Sequence, residues 1–172
     1  MSGVESKDFH QVLIGLGSNI APRENLRSSL YLLGRLVPIQ AASTVWKTAA
    51  VGSSGPDFLN AAVMIETELA PEGLREQILR PIENLLGRIR TRDPNSPRTI
   101  DLDILVYDGE ILEPDLWNYA HIGVPVAEIL PDLTHPETGE SVSHIAEQLI
   151  TQSRIENTDL KLHWTSPTRN II

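Results

Sequence analysis

The chain has 172 residues and a net charge of −9, from 23 acidic against 14 basic side chains. At 41% hydrophobic and 22% charged it has the composition of one folded domain of ordinary size rather than a disordered chain. The lack of cysteine removes disulfides, zinc–thiolate sites and thiol nucleophiles, the acidic balance argues against broad nucleic-acid binding, and no apolar run is long enough to span a membrane.

Residues 1–10 read as a polar arm without the basic-then-apolar pattern of a signal segment, so a cytoplasmic protein is expected. Gln11–Leu16 is a short apolar run closed by Gly15 and Gly17, which predicts a buried strand. Ser18, Asn19 and Pro22 signal a turn into a helix with Leu26, Leu30, Leu33 and Leu36 along one stripe, ended by Pro38. Ile39–Thr48 alternates and predicts a strand. Phe58–Leu69 predicts its hairpin partner, across a loop containing Gly52 and Pro56. Pro71 opens a second helix to about Leu86, in which Pro81 should distort a turn because it offers no N–H, and Gly87 should cap the end. After the turn-rich segment Arg88–Arg98 come a strand at Thr99–Tyr107, a turn at Asp108-Gly109 and a short strand near Ile111. An irregular stretch and a helix at Val142–Ile150 follow. The order βαββαβ predicts an α+β, ferredoxin-like antiparallel sheet with helices packed on one face, plus a C-terminal extension. The domain is expected over residues 11–157, followed by a tail at 158–172 that docks if Trp164 and the last isoleucines find a groove.

The strongest chemical signal is the strand Arg98-Thr-Ile-Asp101-Leu-Asp103. Residues two apart on a strand share a face, so Asp101 and Asp103 present two carboxylates together while Ile100, Leu102 and Ile104 turn to the core. Paired carboxylates repel unless a cation lies between them. Oxygen ligands without His or Cys favour Mg²⁺, which takes one or two carboxylates plus substrate phosphates. Immediately upstream, Arg88, Arg90, Arg92 and Arg98 crowd one loop with only Asp93 opposing them, and arginine forks suit phosphate oxygens. A basic loop abutting a two-carboxylate strand is what a Mg²⁺-polyphosphate needs; a bare Asp-x-Asp alone would more often be a solvated strand face. Gly15-Leu-Gly-Ser-Asn19 lacks the lysine of a P-loop, and its glycines equally mark close packing beneath a ligand. Phe58 and Asn60 share a strand face, where an aromatic ring and an amide would suit a flat heterocycle, although either residue alone fits a core or turn position as well.

Taken together, IGLGSN (14–19), FLNAAVMIET (58–67) and GRIRTRDPNSPRTIDLDIL (87–105) resemble the 6-hydroxymethyl-7,8-dihydropterin pyrophosphokinase family of folate biosynthesis, over residues 11 to about 150. The resemblance implies transfer of pyrophosphate from ATP to the hydroxymethyl group of a reduced pterin, with two Mg²⁺ ions held by Asp101 and Asp103. Arg88 and Arg98 would act on the phosphates, and Glu83, Ile104 and His121 would line the nucleotide site. Thr48, Ala49, Ala50 and Val51 would read the pterin from their loop, together with Phe58 and Asn60. Three departures stand out: Ser96 and Pro94 replace a small and a basic residue of the signature, Asn95 replaces a loop aromatic, and Ala49-Ala50 replace prolines. The segment Asn118–Leu130, in which the family carries an Arg and a second stacking Phe, is several residues short, leaving Tyr119 or Trp117 as substitutes.

The expected partners are therefore ATP and a pterin, with no nucleic acid or membrane, acting on a monomer. The competing reading is a pterin- or nucleotide-binding module whose turnover fell with the short closing segment. An RNA-binding βαββαβ domain fits the strand order, but its aromatic, basic sheet face does not fit an acidic strand in a chain only 5% aromatic.

Overall fold

The computed structural model describes residues 8–52 and 54–165, so the first part of the N-terminal arm and Ile171 and Ile172 lie outside the described residues. In chain order the elements are β1 (His10–Ser18), α1 (Pro22–Leu36), β2 (Ile39–Ala42), β3 (Trp46–Thr48) and β4 (Phe58–Thr67). Then come α2 (Pro71–Leu74), a wide π turn (Arg75–Leu79), α3 (Arg80–Leu85), β5 (Asp101–Tyr107) and β6 (Glu110–Ile111). A 3₁₀ turn (Pro114–Trp117), α4 (Ala120–Ile129), α5 (Val142–Gln152) and β7 (Ile155–Asn157) complete the chain. The strands form one antiparallel sheet in the order β6-β5-β1-β4-β3-β7, with β2 also paired to β4.

One face of this sheet is the main core. Val12, Ile14 and Leu16 of β1 pack there with Ala61, Val63 and Ile65 of β4 and Leu102 and Ile104 of β5. They meet Leu26, Leu30 and Leu33 of α1 and Leu74, Ile78 and Ile82 of the second helical segment. These are the two helices the βαββαβ order predicts. The Pro81 distortion takes the form of the π turn: with no N–H available at Pro81, the Arg80 N–H reaches back five residues to the Arg75 carbonyl. Gly87, at φ 78°, closes α3. Its N–H bonds the Asn84 carbonyl at 3.1 Å, and the Arg88 N–H bonds the Glu83 carbonyl at 2.9 Å.

The second face is partly covered as well. Leu13, Ala62, Met64, Leu105 and Val106 pack against Val126 of α4 and Val142 of α5. α4 forms where the sequence pattern suggests irregular chain, and it carries Pro125 in its interior. The helices thus lie on both faces: α4 and α5 form the extension and, among the described residues, leave one end of the second face open.

Two ladder irregularities position the site. The register between β1 and β5 shifts between Leu13 and Ile14, which pair with Val106 and Ile104, so Leu105 is the extra residue of a bulge. The Leu105 carbonyl accepts from Leu112 N–H at 2.9 Å and Glu113 N–H at 3.2 Å. The predicted strand Ile39–Thr48 is also broken into β2 and β3, because the Ser43 hydroxyl accepts the Ala62 N–H at 2.9 Å in place of a backbone carbonyl. Of the tail, Leu160 is buried and the Trp164 indole donates to the Ile39 carbonyl at 3.0 Å.

Candidate active site

The open end of the second face is floored by Gly15 and Gly17. In the ladder Gly17 lies between Asp101 and Asn60, and Gly15 between Asp103 and Ala62. A Cβ on Gly17 would sit 3.1 Å from Asn60 Oδ1, and one on Gly15 would sit 3.1 Å from Leu105. The glycines keep the floor low between two walls. Above them lies a cavity of about 280 Å³.

One wall is acidic. Asp101, Asp103, Glu113 and Asp115 all line the cavity. The Asp103 carboxylate opens toward solvent, yet the surrounding walls strip it of much bulk water. That desolvation, reinforced by the negative charges of Asp101, Glu83 and Glu113, pushes its pKa up to about 7. Asp101 is paired: Arg98 Nη1 lies 2.5 Å from its Oδ2 and Arg88 Nη2 3.6 Å from its Oδ1. Two oxygen ligands from one strand face, with room for phosphates, fit Mg²⁺, and the mutual repulsion at Asp103 is what a cation would relieve. Among the described residues no group of three or more His, Asp or Glu is arranged to hold a metal.

The arginine loop is anchored at both feet. At its start, Arg88 is buried beneath Asp101, and its Nε finds no hydrogen-bond partner among the described residues. Glu83, 2% exposed, accepts the Leu102 N–H at 2.9 Å and pairs with Arg90 at 2.5 Å. Burial raises its pKa, against the lowering effects of the Leu102 amide and Arg90. Because Leu102 stands between the two aspartates, Glu83 braces their strand from below. At the far foot, Asn19 grips the Arg98 backbone and Ser18 Oγ donates to the Thr99 carbonyl at 2.5 Å. The Arg98 guanidinium also bonds the Pro94 carbonyl and lies 5.6 Å from the centroid of the Phe58 ring, in cation–π range.

Across the floor, Asn60 Nδ2 donates to Thr48 Oγ1 at 2.9 Å, and Thr48, Ala49, Val51 and Phe58 complete that wall. Asn95 reaches in from the arginine loop. α4 closes the remaining side with Tyr119, His121 and Ile122. Burial lowers the His121 pKa, with Asp115 opposing. The Tyr119 and His121 rings lie 5.6 Å apart. Trp117 instead packs beside His135 and against the α4–α5 cluster.

The structure therefore brings Thr48, Ala49, Val51, Phe58, Asn60, Arg98, Asp101, Asp103 and His121 into one cavity. Arg88 and Glu83 lie beneath it. Ala50 does not line it, and Ile104 points to the helix-covered core on the reverse side of β5. Sequence reasoning missed Glu113 and Asp115 as wall residues. The run of six acids from Asp101 to Asp115 was the available signal.

The profile of the 7,8-dihydro-6-hydroxymethylpterin-pyrophosphokinase family matches residues 13–131. The chain is 36% identical over 151 residues to the 2-amino-4-hydroxy-6-hydroxymethyldihydropteridine pyrophosphokinase of Haemophilus influenzae, covering 81% of this chain and 90% of that one. It is 32% identical over 164 residues to the protein of the same name from Synechocystis sp., covering 87% and 83%. A crystal structure of Plasmodium falciparum HPPK-DHPS with pterin and p-hydroxybenzoate superposes with a TM-score of 0.69 at 12% identity, over 86% of this chain and 44% of that one. At that identity it speaks to the fold alone, and the chain spans less than half of the solved protein.

Proposed function

The chain belongs to the 7,8-dihydro-6-hydroxymethylpterin-pyrophosphokinase family, ATP-dependent enzymes of folate biosynthesis, and we propose that it transfers pyrophosphate to its pterin in the cavity between Asp101 and Asn60. The observation that carries this reading is the facing of two unlike walls, an acid-and-arginine wall and an amide-and-aromatic wall, across a glycine floor.

In this reading the pterin lies against Phe58, with its polar edge on Asn60 and on the backbone around Ala49 and Val51. Thr48 holds the Asn60 amide in one orientation, which fixes the hydrogen-bonding pattern the ring must match. Tyr119 covers the opposite face in place of the short closing segment. ATP lies toward Arg98 and His121, with Arg88 below. Asp101 and Asp103 would hold Mg²⁺, two ions in all, and the ions would supply neutralisation of the phosphate oxygens.

The pterin hydroxymethyl oxygen forms a bond to the β-phosphorus as the bond from that phosphorus to the α-bridging oxygen breaks. AMP leaves, and the hydroxyl proton passes to solvent. Such a transfer rests on in-line positioning and charge stabilisation, both of which this chain's arginines supply. Arg98, paired with Asp101 here, would exchange that carboxylate for phosphate oxygens, and Asp101 would then be free to hold a cation. A single chain is the proposed working unit, since one chain lines the whole cavity, and a cytoplasmic setting goes with the use of ATP. Among the described residues no helix is long and apolar enough to cross a membrane.

The test is AMP release from ATP, Mg²⁺ and 6-hydroxymethyl-7,8-dihydropterin, read by chromatography. Turnover by the unmodified chain, with loss in Asp101→Ala and Asp103→Ala, supports the assignment. Pterin binding without AMP would make the chain a binding module.

A further inference from the structure

Glu128 lies near the end of α4, outside the cavity, and its carboxylate accepts two hydrogen bonds from the break between β2 and β3. Thr44 N–H donates to Oε2 at 2.9 Å, and the Trp46 indole Nε1–H donates to Oε1 at 2.5 Å. Thr44 lies in the gap between β2 and β3 and Trp46 opens β3, so one side chain from α4 takes up a backbone donor in the interruption and the indole beside it. Trp46 stands directly opposite Asn60 in the β3–β4 ladder, and Thr48, two residues on, accepts the Asn60 amide. Directly opposed residues of an antiparallel pair share a face, so the clasped indole is the immediate neighbour of Asn60. The other end of α4 supplies Tyr119, His121 and Ile122 to the facing side of the cavity. One carboxylate thus joins the helix that forms one wall to the strand that forms the other.

We propose that Glu128 is a positioning residue for the pterin: it fixes the separation between the Asn60–Thr48 wall and the α4 wall, acting through Trp46 and the Thr44 amide. The inference rests on the reading of this cavity as the pterin site. The clasp lies at the surface, where water replaces lost hydrogen bonds at little cost, so its removal shows in the geometry of the cavity more than in folding. A charge-assisted pair of bonds holding a recognition amide in register is a matter of substrate affinity, not of phosphate chemistry.

Glu128→Ala should raise the KM for the pterin about tenfold while the KM for ATP and kcat stay within about twofold. Glu128→Gln, which keeps one good acceptor, should recover part of the affinity. Trp46→Phe should weaken pterin binding less than Glu128→Ala, and the double variant should be no worse than Glu128→Ala alone, because both changes remove the same bond. Melting temperatures and pterin-fluorescence titrations accompany the kinetics. An unchanged pterin KM in Glu128→Ala overturns the proposal, and so do equal losses in kcat and in both KM values, which indicate general loosening. If the unmodified chain releases no AMP, the reading of the cavity fails with it; if it turns over and only the Glu128 variants behave like the parent, the positioning role alone fails.

Discussion

Asn19 holds Arg98 from both sides of its backbone: the side-chain oxygen accepts the Arg98 N–H at 2.8 Å, and the Asn19 N–H donates to the Arg98 carbonyl at 3.1 Å. Its Nδ2 also reaches the Pro56 carbonyl at 3.3 Å, two residues before Phe58. One buried amide therefore ties the loop that brings the arginines to the strand that brings the aromatic ring. Asn19→Ala should cost about 2 kcal/mol of stability and lower kcat/KM by about 30-fold, because Arg98 and Phe58 lose their common reference. Asn19→Asp keeps the acceptor but cannot donate to Pro56, and should fall between the two. Thermal melts and steady-state AMP release test the order.

Asp103 separates folding from function. Its carboxyl titrates near 7 against an ordinary value of 3.8, so between these values the folded protein holds a proton that the unfolded chain has released. Stability should therefore fall as pH rises through that window when the protein is kept in chelator. Asp103→Asn should remove this slope and raise stability at pH 8 by about 1 kcal/mol, because solvent at the cavity mouth screens much of the repulsion on the carboxylate. The same variant should lose Mg²⁺-dependent turnover. Added Mg²⁺ should raise the melting temperature of the parent chain at pH 8 and leave Asp103→Asn nearly unmoved; equal shifts would remove Asp103 from the metal site.

Glu83 is a brace with a charged end. Glu83→Ala leaves the buried Leu102 N–H unpaired and Arg90 without its partner, and should cost about 3 kcal/mol. Glu83→Gln keeps an acceptor for Leu102 and should cost less than half as much. If both variants melt alike, the Leu102 amide is not what Glu83 secures.

Tyr119 lines the cavity on its α4 side and is the proposed cover for the second face of the pterin. Tyr119→Leu should weaken pterin binding by about five- to tenfold, whereas Tyr119→Phe should bind like the parent, since stacking needs the ring and not the hydroxyl. Fluorescence titration with the pterin decides it, and Trp117→Phe serves as the comparison, because Trp117 packs away from the cavity.

The parts of the site that follow a local rule were legible in the sequence. Period-two alternation puts Asp101 and Asp103 on one face, and the glycine pair on the neighbouring strand falls opposite them. The same alternation turns Ile104 toward the core, where the structure packs it. What stayed hidden depends on distant partners. α4 is short and carries Pro125, and it is helical because Val124 and Val126 bury against α5 and the sheet. Glu113 reaches the cavity because a bulged carbonyl at Leu105 captures its N–H, and no pattern within that strand announces a bulge. The break after Ala42 follows from one serine hydroxyl standing in for a peptide carbonyl, which alternation cannot foresee.

The extra residue at Leu105 also resets the parity of β5. Before it, odd-numbered residues face the cavity and even-numbered ones the helices; after it, Val106 turns to the α4 side and Tyr107 to the helices. The strand is in effect two half-strands joined out of phase. The chemical half and the packing half can then change sequence independently, as long as neither gains nor loses a residue. A single deletion at Leu105 would force them into one phase and turn either the aspartates or the core residues to the wrong side, a coupling that no substitution at the same position would produce.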